Sequence, residues 1–245
     1  MVLPLFQSEF ASRPVPGELV RLSGSEGKHA ATVRRMRAGE GIQLSNGNGL
    51  RVVGTVDAVL GNELSIRVAE VSDEVQPEPH LQLVQALAKG DRDELAIQAA
   101  TELGVASVVP WQADRSISRW DGPKVKKGVD RWQVIVNEAA KQALRSLFPT
   151  VSEPVTTRAL AASAKEYSLL VVLDPTAPES LTTVKLPAEG LVGIVVGPEG
   201  GISDEELAAL SASGAVRLRL GSEILRTSTA GVAAISVLQA RLGRW

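Results

Sequence analysis

The first 75 residues carry short apolar runs at 17–22, 41–44, 50–59 and 64–71, separated by Asn46-Gly47, Asn48-Gly49 and Gly61-Asn62. Short β-prone runs divided by residues that tolerate positive φ predict strands joined by tight turns, and hence a small barrel or sandwich. Gln76-Pro77-Glu78-Pro79 then breaks regular structure, because proline restricts both itself and the residue before it. The period changes after this run. A strand at 81–87 precedes a helix at 91–103 closed by Gly104, a strand at 105–110 and a long amphipathic stretch at 125–147. Leu169–Leu173 and Leu191–Val196 are almost continuously apolar, as strands buried on both faces of a parallel sheet are. Ser203-Asp-Glu-Glu206 has the form of a capping box, with Gly214 ending its helix. A strand at 216–220 and an apolar helix at 230–242 complete an α/β pattern. The predicted organisation is a β domain over 1–75 and an α/β domain over 76–245, with no internal repeat.

Composition narrows the chemistry. Hydrophobic residues make up 44% of the chain, enough for substantial cores. The absence of cysteine excludes disulfides and thiolate metal sites. His29 and His80 have no clustered partner at metal-ligand spacing, so no metal is expected. The N-terminus has no basic segment followed by a long apolar one, and no stretch approaches the roughly 18 apolar residues of a membrane span. The expectation is a soluble, cytoplasmic protein without a membrane partner. The net charge of −2 conceals local excess: residues 113–146 hold eight Lys/Arg against four Asp/Glu, and 28–37 hold four against none. Such patches, rather than the total, would hold a polyanion.

Two segments can carry chemistry. Gly193-Ile-Val-Val-Gly-Pro-Glu-Gly-Gly-Ile-Ser203 reads as a buried strand, a glycine-rich turn and a capped helix. Glycines at the C-terminal end of such a strand let backbone groups approach a ligand closely. The segment matches neither a dinucleotide fingerprint nor a Walker A loop, and taken alone it is equally a structural β–α turn. In Leu218-Arg-Leu-Gly-Ser-Glu-Ile-Leu-Arg-Thr-Ser-Thr229, Arg226 stands in a loop where a fixed cation can face a site, or simply pair with a surface carboxylate. Thr227, Ser228 and Thr229 offer hydroxyls and a helix cap.

Further short motifs accompany these two: Lys28-His29, Val33-Arg34-Arg35 and Gly39-Glu40, then Lys89-Gly90, Glu102-Leu103-Gly104 and Arg115-Ser116, and Glu138-Ala-Ala-Lys-Gln142 with Arg145. With Gly197-Pro-Glu-Gly-Gly201 and Leu220-Gly-Ser-Glu-Ile-Leu-Arg226, their order over nearly the whole chain resembles the RsmE-type ribosomal RNA methyltransferases of the SPOUT superfamily. The chain departs from that family at Arg34, where an apolar residue is more usual, and at Lys28, where a second histidine is common. The resemblance implies a PUA-like RNA-binding domain, a SPOUT-type parallel sheet with a C-terminal trefoil knot, and a homodimer. Periodicity displays none of the knot.

The implied reaction moves a methyl group from S-adenosylmethionine to N3 of a uridine in small-subunit (16S) ribosomal RNA, free or in the assembled 30S subunit, leaving S-adenosylhomocysteine. By resemblance the cofactor residues are Leu173, Gly197, Pro198, Glu199, Gly200, Gly201, Leu220, Gly221, Ser222, Ile224, Leu225 and Thr229. The RNA contacts would be His29, Arg35, Arg37, Arg115, Lys124, Lys127 and Arg145. Arg34, Arg119 and Lys126 add charge beside them, and a solvated charged surface is the alternative for all of these cations. His29 is equally a structural histidine, and Trp111, Trp120 and Trp132 are more often core than stacking platforms.

Attack through uracil N3 requires loss of its proton and stabilisation of charge on the ring oxygens. Arg226 fits the second task, since a guanidinium donates hydrogen bonds but is a poor base. Glu199, Glu138 and water remain open as the base, and a structural hydrogen-bonding role is the alternative for either carboxylate. Other readings are a ribose 2′-O-methyltransferase of the same fold and an RNA-binding protein without catalysis. A nucleotide-binding oxidoreductase is disfavoured, because no acidic residue follows a dinucleotide fingerprint.

Overall fold

In the N-terminal unit the chain runs through β1 (Leu5–Gln7), β2 (Leu19–Leu22), the short helix α1 (Gly24–Lys28), a π-helical turn at His29–Val33, β3 (Gly41–Ser45), β4 (Leu50–Leu60) and β5 (Glu63–Asp73). The computed structural model describes residues 2–245. The strands form one sheet in the order β1-β3-β4-β5-β2, antiparallel except where β1 runs parallel to β3. Gly61, at φ 66°, turns β4 into β5 as its sequence position predicts. A register shift between Val53 and Gly54 bends the β4–β5 ladder, and a Cβ at Gly54 would lie 2.5 Å from the Arg67 carbonyl oxygen. Phe6, Leu22, Ile42, Leu44, Val52, Leu64 and Ile66 fill the core of this unit.

Ala140–Phe148 belongs to the same unit. The Lys141 ammonium lies 2.6 Å from the Glu26 carboxylate, the Ser45 hydroxyl donates to the Ser146 carbonyl at 3.0 Å, and the Arg51 guanidinium donates to the Leu144 carbonyl at 2.7 Å. Two backbone amides complete the attachment, Gly49 to Ser146 at 2.9 Å and Phe148 to Gly47 at 2.8 Å. A single division near residue 75 thus omits a stretch whose bonds are made with the first unit. These bonds are long-range in sequence, and amphipathic spacing at 125–147 gives no sign of them.

The second unit, Pro77–Ala139 with Pro149–Trp245, contains β6 (His80–Ala86), α2 (Arg92–Glu102), β7 (Ser107–Gln112), most of α3 (Pro123–Gln142), β8 (Thr150–Val151), β9 (Val155–Thr156), α4 (Thr157–Ser163), β10 (Leu169–Leu173), β11 (Leu191–Val196), α5 (Asp204–Ala212), β12 (Val216–Leu218) and α6 (Thr227–Arg241). Its seven strands are all parallel, in the order β12-β10-β11-β6-β7-β8, with β9 also pairing β7. Alternate residues of each strand serve opposite faces. Leu83, Ile194 and Val196 meet Ile97 of α2, Trp132 and Val136 of α3 and Ile235 and Leu238 of α6 on one side. Val84, Val172 and Val195 meet Leu160 of α4 and Leu210 of α5 on the other. Burial on both faces explains why these strands read as apolar runs without alternation.

The capping box forms as the sequence predicts: Ser203 Oγ accepts from the Glu206 amide at 3.2 Å, and Glu206 Oε2 accepts from the Ser203 amide at 3.1 Å. Several boundaries differ from expectation. β7 ends two residues later, α3 stops at Gln142 ahead of Leu144 at φ 55°, and α6 begins at Thr227 rather than 230. β1, α1, β8, β9 and α4 are too short, or too weakly patterned, to stand out from flanking loops. No helix among the described residues is long and apolar enough to cross a membrane.

Gly231 sets how closely α6 approaches the sheet. A Cβ there would lie 2.9 Å from Leu83 Cδ1 and 3.2 Å from Val196 Cγ2. Gly231→Val is expected to destabilise the chain by about 1–3 kcal/mol through overpacking, measured by urea unfolding.

Candidate functional site

Every strand of a parallel sheet ends on the same edge, so the loops after β6, β10, β11 and β12 converge there. They enclose a cleft of about 590 Å³. Leu173, Asp174, Pro175 and Thr176 line it from the end of β10, Val196, Gly197, Pro198, Glu199, Gly201 and Ile202 from β11, and Leu220, Gly221, Glu223, Ile224, Leu225 and Arg226 from the loop after β12. Arg92 of α2, Asp204 and Leu207 of α5, and Thr227 and Ala230 of α6 complete the walls.

The glycine loop is shaped by backbone requirements. The Gly201 amide donates to the Pro198 carbonyl at 2.9 Å, and Gly201 sits at φ 73°, where a side chain would be strained. A Cβ at Gly200 would approach the Arg115 Cβ to 3.1 Å. At the head of the loop the Thr227 hydroxyl donates to the Gly197 carbonyl at 2.8 Å and accepts from Gln85 Nε2 at 2.9 Å. One hydroxyl thereby joins β6, the glycine loop and the start of α6.

Three of the six charged residues on the cleft wall, Arg92, Asp174 and Glu199, are already ion-paired. Glu199 Oε1 accepts from Arg92 Nη1 at 2.7 Å and from the Lys89 amide at 3.1 Å, and its side chain is 23% exposed. Burial pushes the Glu199 carboxyl up, but the hydrogen bonds from Arg92 and from backbone amides outweigh it and hold its pKa below the ordinary value. Asp174 follows the same pattern: burial raises it, while bonds from the Thr176 amide and hydroxyl and from Arg217 lower it further. Arg226 differs. Its backbone carbonyl accepts from the Thr229 amide at 2.8 Å and the Ala230 amide at 2.9 Å in the N-cap position of α6, while its exposed guanidinium has no partner among the described residues.

The structure brings together most of the residues assigned to the cofactor by resemblance. Gly200, Ser222 and Thr229 belong to the same segments but do not line the cleft. Ile224 is 84% exposed and Leu225 39%, an unusual state for large apolar side chains. Arg92, Ile202 and Leu207 escaped the sequence reading, because nothing local to α2 or α5 announces a cleft formed across the sheet edge. The N-cap position of α6 falls to Arg226 rather than to Thr227, Ser228 or Thr229, and the Thr227 hydroxyl is bonded to Gly197 and Gln85.

The cations fall into distinct environments. In the N-terminal unit Arg34, Arg35 and Arg37 are exposed, and their side chains make no bond among the described residues, with Arg35 at φ 54°. His29 is half-buried with its ring edge-on to Phe6, centroids 5.6 Å apart. Arg145 is also half-buried, and burial pulls its pKa down to about 10, so it is not displayed as a free surface cation. In the second unit Lys124 and Lys127 are exposed, Arg115 donates to the Gly200 carbonyl at 3.1 Å, and Arg119 donates to the Asp114 carbonyl at 3.0 Å. Trp111 and Trp132 are fully buried, and Trp120 packs edge-on against Trp132 with centroids 5.0 Å apart. Among the described residues, no cluster of His, Asp and Glu could hold a metal ion.

Residues 76–239 match the family model of an RNA methyltransferase domain, and residues 22–68 match an RNA methyltransferase PUA domain. The chain is 39% identical to the ribosomal RNA small subunit methyltransferase E of Mycobacterium bovis, over 100% of this chain and 94% of that protein. It is 32% identical to the Bacillus subtilis protein of the same name, covering 89% and 88% of the two chains. The solved ribosomal RNA small subunit methyltransferase E of Neisseria gonorrhoeae, bound to S-adenosyl methionine, is similar with a TM-score of 0.86 at 27% identity, over 98% of each chain.

The loop before α2 is held by Asp93, a buried carboxylate that accepts from the Ala88 amide at 3.0 Å and the Glu94 amide at 2.9 Å. Burial pushes its pKa from 3.8 up to about 6, against the lowering effect of those amides. The folded state therefore holds this proton more tightly than the unfolded state does, and unfolding releases it between these two values. The stability of the natural chain relative to Asp93→Asn is expected to fall by on the order of 3 kcal/mol as pH rises from well below 3.8 to well above about 6, measured by urea unfolding at several pH values.

Proposed function

Because the chain belongs to the family of ribosomal RNA small subunit methyltransferase E, we propose that it uses S-adenosylmethionine to methylate N3 of one uridine in 16S ribosomal RNA. The observation that carries the reading is the cleft at the sheet edge, bounded by the glycine loop and lined by one unpaired cation, Arg226. Its volume of about 590 Å³ lies in the range of small-molecule sites. Apolar Leu173, Val196, Leu220, Leu225 and Ala230 suit an adenine ring, and backbone groups of 197–201 and 220–225 suit its polar edge. The residues present fit the cofactor, and no metal is needed.

When bound, S-adenosylmethionine supplies a methyl group already activated by its sulfonium. The chain's own task is then alignment and charge control. The Arg226 guanidinium, free of internal partners, can donate to a uracil carbonyl oxygen and hold the charge that develops as N3 loses its proton. Glu199 is engaged by Arg92 and the Lys89 amide with its pKa held low, which favours a role in anchoring the glycine loop over one as base.

The PUA match and the exposed Arg34, Arg35 and Arg37 support capture of RNA phosphates by the N-terminal unit, with Arg115, Lys124 and Lys127 doing so from the other. The proposed substrate is small-subunit ribosomal RNA, free or in the assembled 30S subunit, in the cytoplasm. A homodimer is part of the same reading, and the exposed Ile224 and Leu225 at the cleft mouth support it. A trefoil knot also belongs to it. The chain reaches β12 beyond β10 at one edge of the sheet, then returns to α6, which packs over β11 and β6.

Small ribosomal subunits lacking base methylation, incubated with labelled S-adenosylmethionine, are expected to gain 3-methyluridine at one site by mass mapping. Label on ribose would instead indicate the 2′-O reaction. Arg226→Ala is expected to keep cofactor affinity within a few-fold and to lose roughly a hundredfold or more in turnover. Unchanged turnover removes Arg226 from the mechanism.

A further inference from the structure

β6 carries two glutamines with different fates. Gln82 is half-buried and engaged at both ends: its amide donates to the Ser107 hydroxyl at 2.8 Å, and its carbonyl accepts from the Tyr167 hydroxyl at 2.6 Å. Gln85 is completely buried, at 0% exposure, among Leu83, Val84, Ala86 and Leu87. Its Nε2 donates to the Ala86 carbonyl at 3.2 Å and to the Thr227 hydroxyl at 2.9 Å, while its Oε1 has no partner. A buried acceptor left unpaired is unfavourable, so an aliphatic residue would serve the core better. The polar side chain needs another reason to be there.

The direction of the bonds provides one. The Thr227 hydroxyl has a single proton, and it points at the Gly197 carbonyl. That arrangement requires its other neighbour to be a donor, which Gln85 Nε2 is. Reversing the amide would set Oε1 against the Ala86 carbonyl and would draw the Thr227 proton away from Gly197. We infer that Gln85 is a positioning residue for methyl transfer: by donating to Thr227 it directs the hydroxyl onto the Gly197 carbonyl and fixes the start of α6, and with it Arg226, against the glycine loop. The inference rests on the reading of the cleft as the methyl-transfer site. Gln85 acts through Thr227 and lines no part of the cleft itself.

The test compares Gln85→Met, Thr227→Val, Thr227→Ser and the double variant Gln85→Met/Thr227→Val. Turnover on small ribosomal subunits, S-adenosylhomocysteine affinity by calorimetry, and amide hydrogen exchange are measured on each. Gln85→Met is expected to lower turnover roughly tenfold and to speed exchange of the amides at 197–201 and 227–230. The double variant should be no worse than Thr227→Val, because both changes cut the same tie, and Thr227→Ser should retain most turnover. The inference is overturned if Gln85→Met turns over within about twofold of the natural chain with unchanged exchange, or if the two single losses multiply in the double variant. Should Gln85→Met fail to fold, Thr227→Val against Thr227→Ser reads the same tie, and equal turnover in those two overturns it. Exchange at 197–201 needs no activity. A natural chain that methylates nothing would therefore sink the functional reading, while the exchange data still decide for or against the Gln85–Thr227–Gly197 tie.

Discussion

An all-parallel sheet allows its strands to end on one edge only, and the rest of the second unit follows from that constraint. The loops after β6, β10, β11 and β12 have no other place to go, so residues far apart in sequence become neighbours around one cleft. Convergence alone would leave four separate loops. Thr227 joins two of them to the sheet, with one hydroxyl that accepts from Gln85 and donates to Gly197. Gly231, one turn further along α6, lets the helix lie close enough to β6 and β11 for those bonds to form.

Electrostatics then separate the cations of the cleft by role. Arg92 is committed to Glu199, and Arg217 just outside is committed to Asp174. Each pairing satisfies a partly buried carboxylate and offsets the charge of its cation. Arg226 alone among the arginines lining the cleft keeps a guanidinium without a partner among the described residues. In the proposed reaction that distinction separates anchoring from charge stabilisation more sharply than residue type does.

Much of this was legible in the chain. The change of period after Gln76, the apolar strands Leu169–Leu173 and Leu191–Val196, and the capping box at Ser203 are local signals, and each formed as read. The glycine loop and the Gly221–Arg226 segment carried the family resemblance, and the structure gathers them around one cavity. What escaped was non-local. The attachment of Ala140–Phe148 to the first unit depends on Glu26, Ser45 and Arg51, about a hundred positions away. Arg92 enters the cleft wall only because α2 starts beside the β11 loop, and Gln85 gains significance only once Thr227 is seen above it. Arg145 accompanies the Glu138–Gln142 motif that carries the resemblance, and neither that motif nor its charge carries information about burial.

The most direct test of the account is a crystal structure of the chain with S-adenosylhomocysteine. Density for the ligand is predicted within the cleft, against the glycine loop at 197–201 and the 220–225 segment, with the Arg226 guanidinium still without an internal partner. A ligand bound elsewhere, or one whose binding turns Arg226 away into an internal ion pair, would contradict it.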